Sequence, residues 1–149
     1  MMGGIYVASK AKYAPNWLHY RAKGFEICSS WLDEYAPGAT HDWSDLWQRA
    51  IREASKADVL VIYQSADDVM KGALVELGAA LGANVPVFAI GLLDRAAHHP
   101  LVKKFDNVDI AMSEAQFMVI RNRPRCQPPP NPEHDRKLLA QFADWIDSP

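Results

Sequence analysis

KGALVELGAALGANVPVFAIG, Lys71–Gly91, is the most apolar stretch of the chain, and from Gly72 to Leu93 its only charged residue is Glu76. The run is nearly long enough to suggest a membrane span. Two features argue instead for a helix followed by a buried strand: the break at Ala83–Pro86 and the carboxylate in the middle. Helical spacing over residues 72–84 puts Leu74, Leu77 and Leu81 on one face, with Gly78 beside them. That face is expected to pack on a sheet. Glu76 falls on another stripe with Ala73, Ala79, Ala80 and Ala83, where small neighbours leave room for something to approach. It lies about one turn from the helix start, where unpaired N–H groups and the helix dipole favour an ionised carboxylate. Two readings stand side by side: an ordinary exposed helix residue, or a desolvated carboxylate poised as nucleophile or general base.

Working outward, the segments alternate. Gly4–Ser9 (GIYVAS) reads as a buried first strand, and NWLHYRAKG as a short helix stopped at Gly24. Phe25–Trp31 reads as a second strand. Asp42 caps the clearest helix, whose apolar residues Leu46, Trp47, Ala50, Ile51 and Ala54 recur at helical spacing. Val59–Tyr63 (VLVIY) is a continuous β-branched run, as in a strand covered on both faces. VPVFAIG follows as a fourth strand. LLDRAAHHPLVKKF reads as loop and partial helix, VDIAMS as a fifth strand, and EAQFMVI as a short helix. Residues 121–132 form a proline-rich linker, and 133–147 a terminal helix with Leu138, Leu139, Phe142, Trp145 and Ile146 on one face. The whole, 1–149, fits a single domain.

Strands alternating with helices predict an α/β fold: a flavodoxin- or Rossmann-like three-layer sandwich with a five-stranded, mainly parallel sheet in the order 2-1-3-4-5. In that order a ligand binds beyond the carboxyl ends of the first and third strands. The loops after Ser9 and Tyr63 then build the site, and the helix carrying Glu76 starts in the second of them.

The bulk properties narrow the classes. The net charge of −2 gives no pull toward a nucleic-acid polymer or an anionic membrane. Cys28 and Cys126 are the two cysteines; without a CxxC they suggest neither a disulfide framework nor a zinc site, and fit a reducing, cytoplasmic setting. MMGGIYVASK lacks the basic-then-apolar pattern of a signal peptide. No GxGxxG is present, and adjacent His98 and His99 before Pro100 read as a surface turn, so neither cofactor nor metal is expected.

Near the expected site several residues carry two readings. Asp67 and Asp68 either hold sugar hydroxyls or make a solvated turn. Gln64 and Ser65 stand at the strand edge. Ser9, Lys10 and Lys12 either meet a phosphate or lie in solvent. Trp31 either stacks on a base or packs. Trp43 and Trp47 read as core and staple residues of their helix. Asp58 reads as structural, and Arg121, Arg123 and Arg125 as a solvated basic patch.

IYVAS, ADVLVIY and GALVELGAALGANVPV together resemble the nucleoside 2-deoxyribosyltransferase-like family, from Gly4 to about Gly91. The family pattern is strand, short loop, Gly-Thr-x-x-Glu-x-Gly-x-Ala, then a strand opening with Pro-Val; Ala73 stands here for the Thr. The resemblance implies that Glu76 is the nucleophile on the anomeric carbon of a nucleoside or nucleotide and that Tyr6 lies beside it. With the switch-point argument, Ser9, Trp31, Gln64, Asp67, Asp68 and Gly72 make up the expected substrate site; the resemblance also implies a homo-oligomer in which a neighbouring chain closes the site. Relatives often carry an Asp for the leaving base where this chain has Met70; Asp67 or Asp68 could substitute from the same loop. The reaction is transfer to a second base or hydrolysis. A glycohydrolase of a dinucleotide such as NAD, a nucleotide-sensing module without turnover, and a structural interaction domain are the rival readings.

Overall fold

A computed structural model describes residues 3–123. The linker, the terminal helix, Cys126 and Arg125 lie outside the described residues. Four strands form one parallel sheet: β1 (Ile5–Ala8), β2 (Val59–Tyr63), β3 (Val87–Ile90) and β4 (Val102–Phe105), in that spatial order. Ile5 sits opposite Val59, Leu60 opposite Val87, and Val87 opposite Val102. β1 and β3 are buried throughout, and β2 is buried except at Tyr63, as continuous apolar runs require of strands covered on both faces.

Helices cover both faces. α1 (Ala14–Ala22) and α4 (Val108–Arg121) pack on one side against Ile5, Val7, Val59, Val61, Phe88 and Ile90. α2 (Trp43–Lys56) and α3 (Gly72–Gly82) pack on the other against Tyr6, Ala8, Leu60, Ile62, Val87 and Ala89. This alternation is the period of two of the strand side chains. The fold is therefore α/β and Rossmann-like.

The expected strand at Phe25–Trp31 shrinks to a single parallel bridge between Ile27 and Ile5. The reason lies on the outer edge of β1. Ile5 N–H donates to the Glu26 carbonyl (2.8 Å), and Cys28 N–H donates to the Ile5 carbonyl (2.9 Å). At the next rung side chains take over: Val7 N–H donates to Ser29 Oγ (2.7 Å), and Trp31 Nε1–H donates to the Val7 carbonyl (2.8 Å). With both edge groups of Val7 satisfied, the backbone is free to turn into a 3₁₀ segment at Ser30–Glu34.

The expected fifth strand, VDIAMS, is instead the start of α4. Asn107 caps it, accepting from Ile110 N–H at 3.1 Å. The strand at that edge comes from Val102–Phe105, read above as loop and partial helix. Its middle residues Lys103 and Lys104 are exposed, as suits a charged edge strand, and this hid it from any search for apolar runs. Among the described residues the sheet has four strands, and the expected five in the order 2-1-3-4-5 do not form. Asp42 does cap α2, accepting from Asp45 N–H at 3.0 Å.

In α3 the buried residues are Ala73, Leu77 and Ala80, while Leu74 and Leu81 are only partly covered. Alanines, not leucines, dominate the inward stripe because they allow close approach of the helix. Among the described residues no helix is long and apolar enough to cross a membrane.

Replacing Ser29 with Ala leaves the buried Val7 N–H without an acceptor. The loss is expected to be about 1–3 kcal/mol in chemical denaturation, with the unfolding slope unchanged.

Candidate functional site

At the carboxyl end of β1, a cavity of ≈580 Å³ opens between α2 and the start of α3. Three elements build its walls. Ser9, Lys10 and Ala11 come from the turn after β1; Trp43, Leu46, Trp47 and Ala50 from the first turns of α2; and Val69 to Ala73 with Glu76 from the approach to α3 and its first turns. Trp31 closes the remaining side. Gly72 lies against the Trp47 ring, where a Cβ would sit 3.4 Å away, at ordinary contact distance.

Among the described residues, Glu76 is the only carboxylate that lines this cavity. It shares its helix face with Ala73 and Ala80, both buried. Burial pushes its carboxyl up to about 7; the nearby Tyr6 hydroxyl pulls it down and the Glu53 charge raises it further. The dipole argument alone predicts an ionised group, but removal from water outweighs the helix start. Tyr6 is fully buried beneath it. Its hydroxyl makes no hydrogen bond of ordinary geometry, yet lies close enough to Glu76 for each group to shift the other. Burial first, then the Glu76 charge, keeps the phenol protonated far above its usual range.

Glu53, which sequence reasoning did not single out, sits behind this pair. Its carboxylate accepts from Ser30 N–H and Ser30 Oγ–H, both at 3.0 Å. Arg49 reaches Ser30 Oγ (2.7 Å) and pairs with Glu34 and Asp45, tying α2 to the 3₁₀ segment that carries Trp31.

The predicted site residues divide into two groups. Ser9, Trp31, Gly72 and Glu76 line one cavity, with Tyr6 directly below. Gln64, Asp67 and Asp68 do not line it. Gln64 bridges strand ends, donating to the Asp68 carbonyl (3.1 Å) and accepting from Leu93 N–H (2.9 Å). Asp67 is exposed. Asp68 is buried and accepts from Tyr13 Oη–H (2.9 Å) and Ser65 N–H (2.9 Å), with the Lys12 ammonium at 3.0 Å. Burial alone would raise its carboxyl, but the Ser65 N–H, Lys12 and Tyr13 outweigh it and hold it below its usual value. Asp68 thus pins the loop after β2 to the turn after β1. Lys12 is occupied there, while Lys10 reaches the Val69 carbonyl at 3.3 Å.

Trp43 and Trp47, expected in the core, are 65 % and 40 % exposed and face the cavity. The helix buries only Ala50 and Ala54. The signal was present as two indoles four residues apart in the first turns of a helix whose inward positions are alanines. Among the described residues no group of three or more His, Cys, Asp or Glu side chains is placed to hold a metal ion.

Compared with family models, curated proteins and solved structures, the chain matches none.

The raised carboxyl has a consequence for stability. Between its ordinary value of 4.5 and about 7, the folded chain holds a proton at Glu76 that the unfolded chain has released. Stability therefore falls as pH rises across that interval, and the cost is complete above it. Glu76→Gln is expected to be more stable than the native chain at pH 8 by about 1–3 kcal/mol, a gain that vanishes near pH 4 in paired denaturation curves.

Proposed function

We propose that the chain breaks the N-glycosidic bond of a nucleoside or nucleoside monophosphate, ribo or deoxy, with Glu76 as nucleophile on the anomeric carbon. One observation carries this reading: among the described residues, a single desolvated carboxylate faces an indole-lined cavity at the carboxyl end of the first strand, with a buried phenol beside it. Such a carboxylate stabilises the positive charge that develops on the sugar carbon and can trap it as an ester. Indole faces suit a flat base. The resemblance of GALVELGAALGANVPV to the nucleoside 2-deoxyribosyltransferase-like pattern assigns Glu76 the same role. Water accepting the sugar gives hydrolysis, and a second base gives transfer.

The Tyr6 hydroxyl supports the ionised form of Glu76. In the mechanism it is a positioning group: it steadies the attacking carboxylate and pulls its titration downward, against burial.

The test is a panel of nucleosides, deoxynucleosides, their monophosphates and NAD, with and without a second free base, followed by chromatography of released or exchanged base. Glu76→Gln is expected to lower turnover about 10³-fold or more. Release that persists undiminished in this variant refutes the nucleophile assignment.

In the native chain the rate is expected to rise with pH through about 7 as Glu76 ionises. Tyr6→Phe removes a group that favours the carboxylate, so this rising limb is expected to move to higher pH while the plateau rate changes less. An unmoved limb in the pH–rate profile refutes the link between the two groups.

A further inference from the structure

The walls of the cavity restrict which base can leave. When the bond between the anomeric carbon and a ring nitrogen breaks, the electron pair stays on the nitrogen. A neutral base then departs as an anion unless an acid protonates it. Among the described residues no suitable acid faces the cavity. Glu76 is the only carboxylate among the described lining residues and is needed on the sugar. Ser9 Oγ–H is turned to the Lys10 carbonyl (3.0 Å) while its oxygen accepts from Trp17 Nε1–H (2.9 Å). Lys10 turns its ammonium to the Val69 carbonyl (3.3 Å), and Lys71 is exposed. In the adjoining cavity, Glu34 is held in an ion pair by Arg49. Asp67 and Asp68, the nearest other acids on the same loop, do not line the cavity.

The same walls carry three indoles. Trp31 has its N–H committed to the Val7 carbonyl, so it offers the cavity only its ring. Trp43 and Trp47 keep large exposed areas there, at a cost in apolar exposure that the fold itself gives no reason for. An indole face is the aromatic surface that attracts a cation most strongly.

Resting on the function proposed above, we propose that the substrate is an N-riboside whose base carries a fixed positive charge on its ring system, such as a pyridinium or an N-alkylated purine, received against Trp31, Trp43 and Trp47. For this class no acid is needed. A Glu76 oxygen forms a bond to the anomeric carbon as the carbon–nitrogen bond breaks. The released pair neutralises the charge of the base, which leaves as a neutral molecule, and no proton moves. Water then takes the anomeric carbon, the ester electrons return to Glu76 as carboxylate, and the proton of the water passes to solvent. The charge that attracts the base to the indoles disappears in the first step, so the product is released from the walls that bound the substrate.

The test uses pairs that differ in charge and little in shape: nicotinamide riboside against 1,4-dihydronicotinamide riboside, and 7-methylguanosine against guanosine. Binding is followed on the full chain carrying Glu76→Gln, by quenching of tryptophan fluorescence, so that turnover does not intervene. The charged members are expected to bind roughly tenfold more tightly, and adding Trp43→Ala is expected to remove most of that preference. Base release by the native chain, corrected for the spontaneous decay of each riboside, is expected for the charged members alone. Equal binding within each pair, or selective binding without release, overturns the inference. Release of neutral bases at matching rates, abolished by Glu76→Gln, overturns it while leaving the proposed function standing. Release of charged bases that survives Glu76→Gln overturns both.

Discussion

The two edge groups of Val7 decide more of this structure than any other contact. On a bare strand edge, an N–H and a carbonyl invite another strand. Here Ser29 accepts from one and Trp31 donates to the other. The sheet therefore stops at β1, the chain turns into a 3₁₀ segment, and the Trp31 ring is set over the end of the strand. A hydrogen-bonding requirement of the backbone thus becomes the placement of an aromatic wall, and Arg49 and Glu53 fasten that segment to α2.

A second tension is electrostatic. Glu76 lies where a helix start favours a carboxylate, yet it faces alanines, indoles and a buried phenol. Desolvation wins over the dipole and lifts the carboxyl to about 7. Tyr6 works in the opposite direction, and Glu53 adds to the lift. The result is a carboxyl that titrates well above its ordinary range, open to any charge brought next to it. Asp68 shows the contrary case on the neighbouring loop: it too is buried, but an N–H, a hydroxyl and an ammonium surround it and keep it ionised. One carboxylate is paired and structural; the other is desolvated and open to the cavity.

Much of this was legible in the chain, and the failures have physical causes. VLVIY announces a doubly covered strand, and Asp42 announces the helix it caps. Glu76 stands out because nothing else in its segment is charged. The edge strand Val102–Phe105 does not stand out, because a strand exposed on its edge has no need of an apolar run. VDIAMS carries β-branched residues but lies beyond the Asn107 cap, and local capping overrides strand propensity. Asp68 could not be told from Asp67 by sequence, since only the fold brings Tyr13 and Lys12 to one of the two. Trp43 and Trp47 misled for the same reason: an indole at helical spacing is apolar whether it meets a core or a cavity.

By itself, then, the sequence determined the alternation of strands and helices, the parallel arrangement this imposes, and the one carboxylate worth following, because periodicity, capping and isolation of charge are local properties. The tertiary structure decided where the sheet ends, which aspartate is spoken for, how far Glu76 is lifted and which tryptophans surround it. Each of these depends on groups distant in the chain: Ser29 and Trp31 against Val7, Lys12 and Tyr13 against Asp68, Tyr6 and Glu53 against Glu76. Burial and pairing are set by what the fold brings close, and no local pattern encodes that distance.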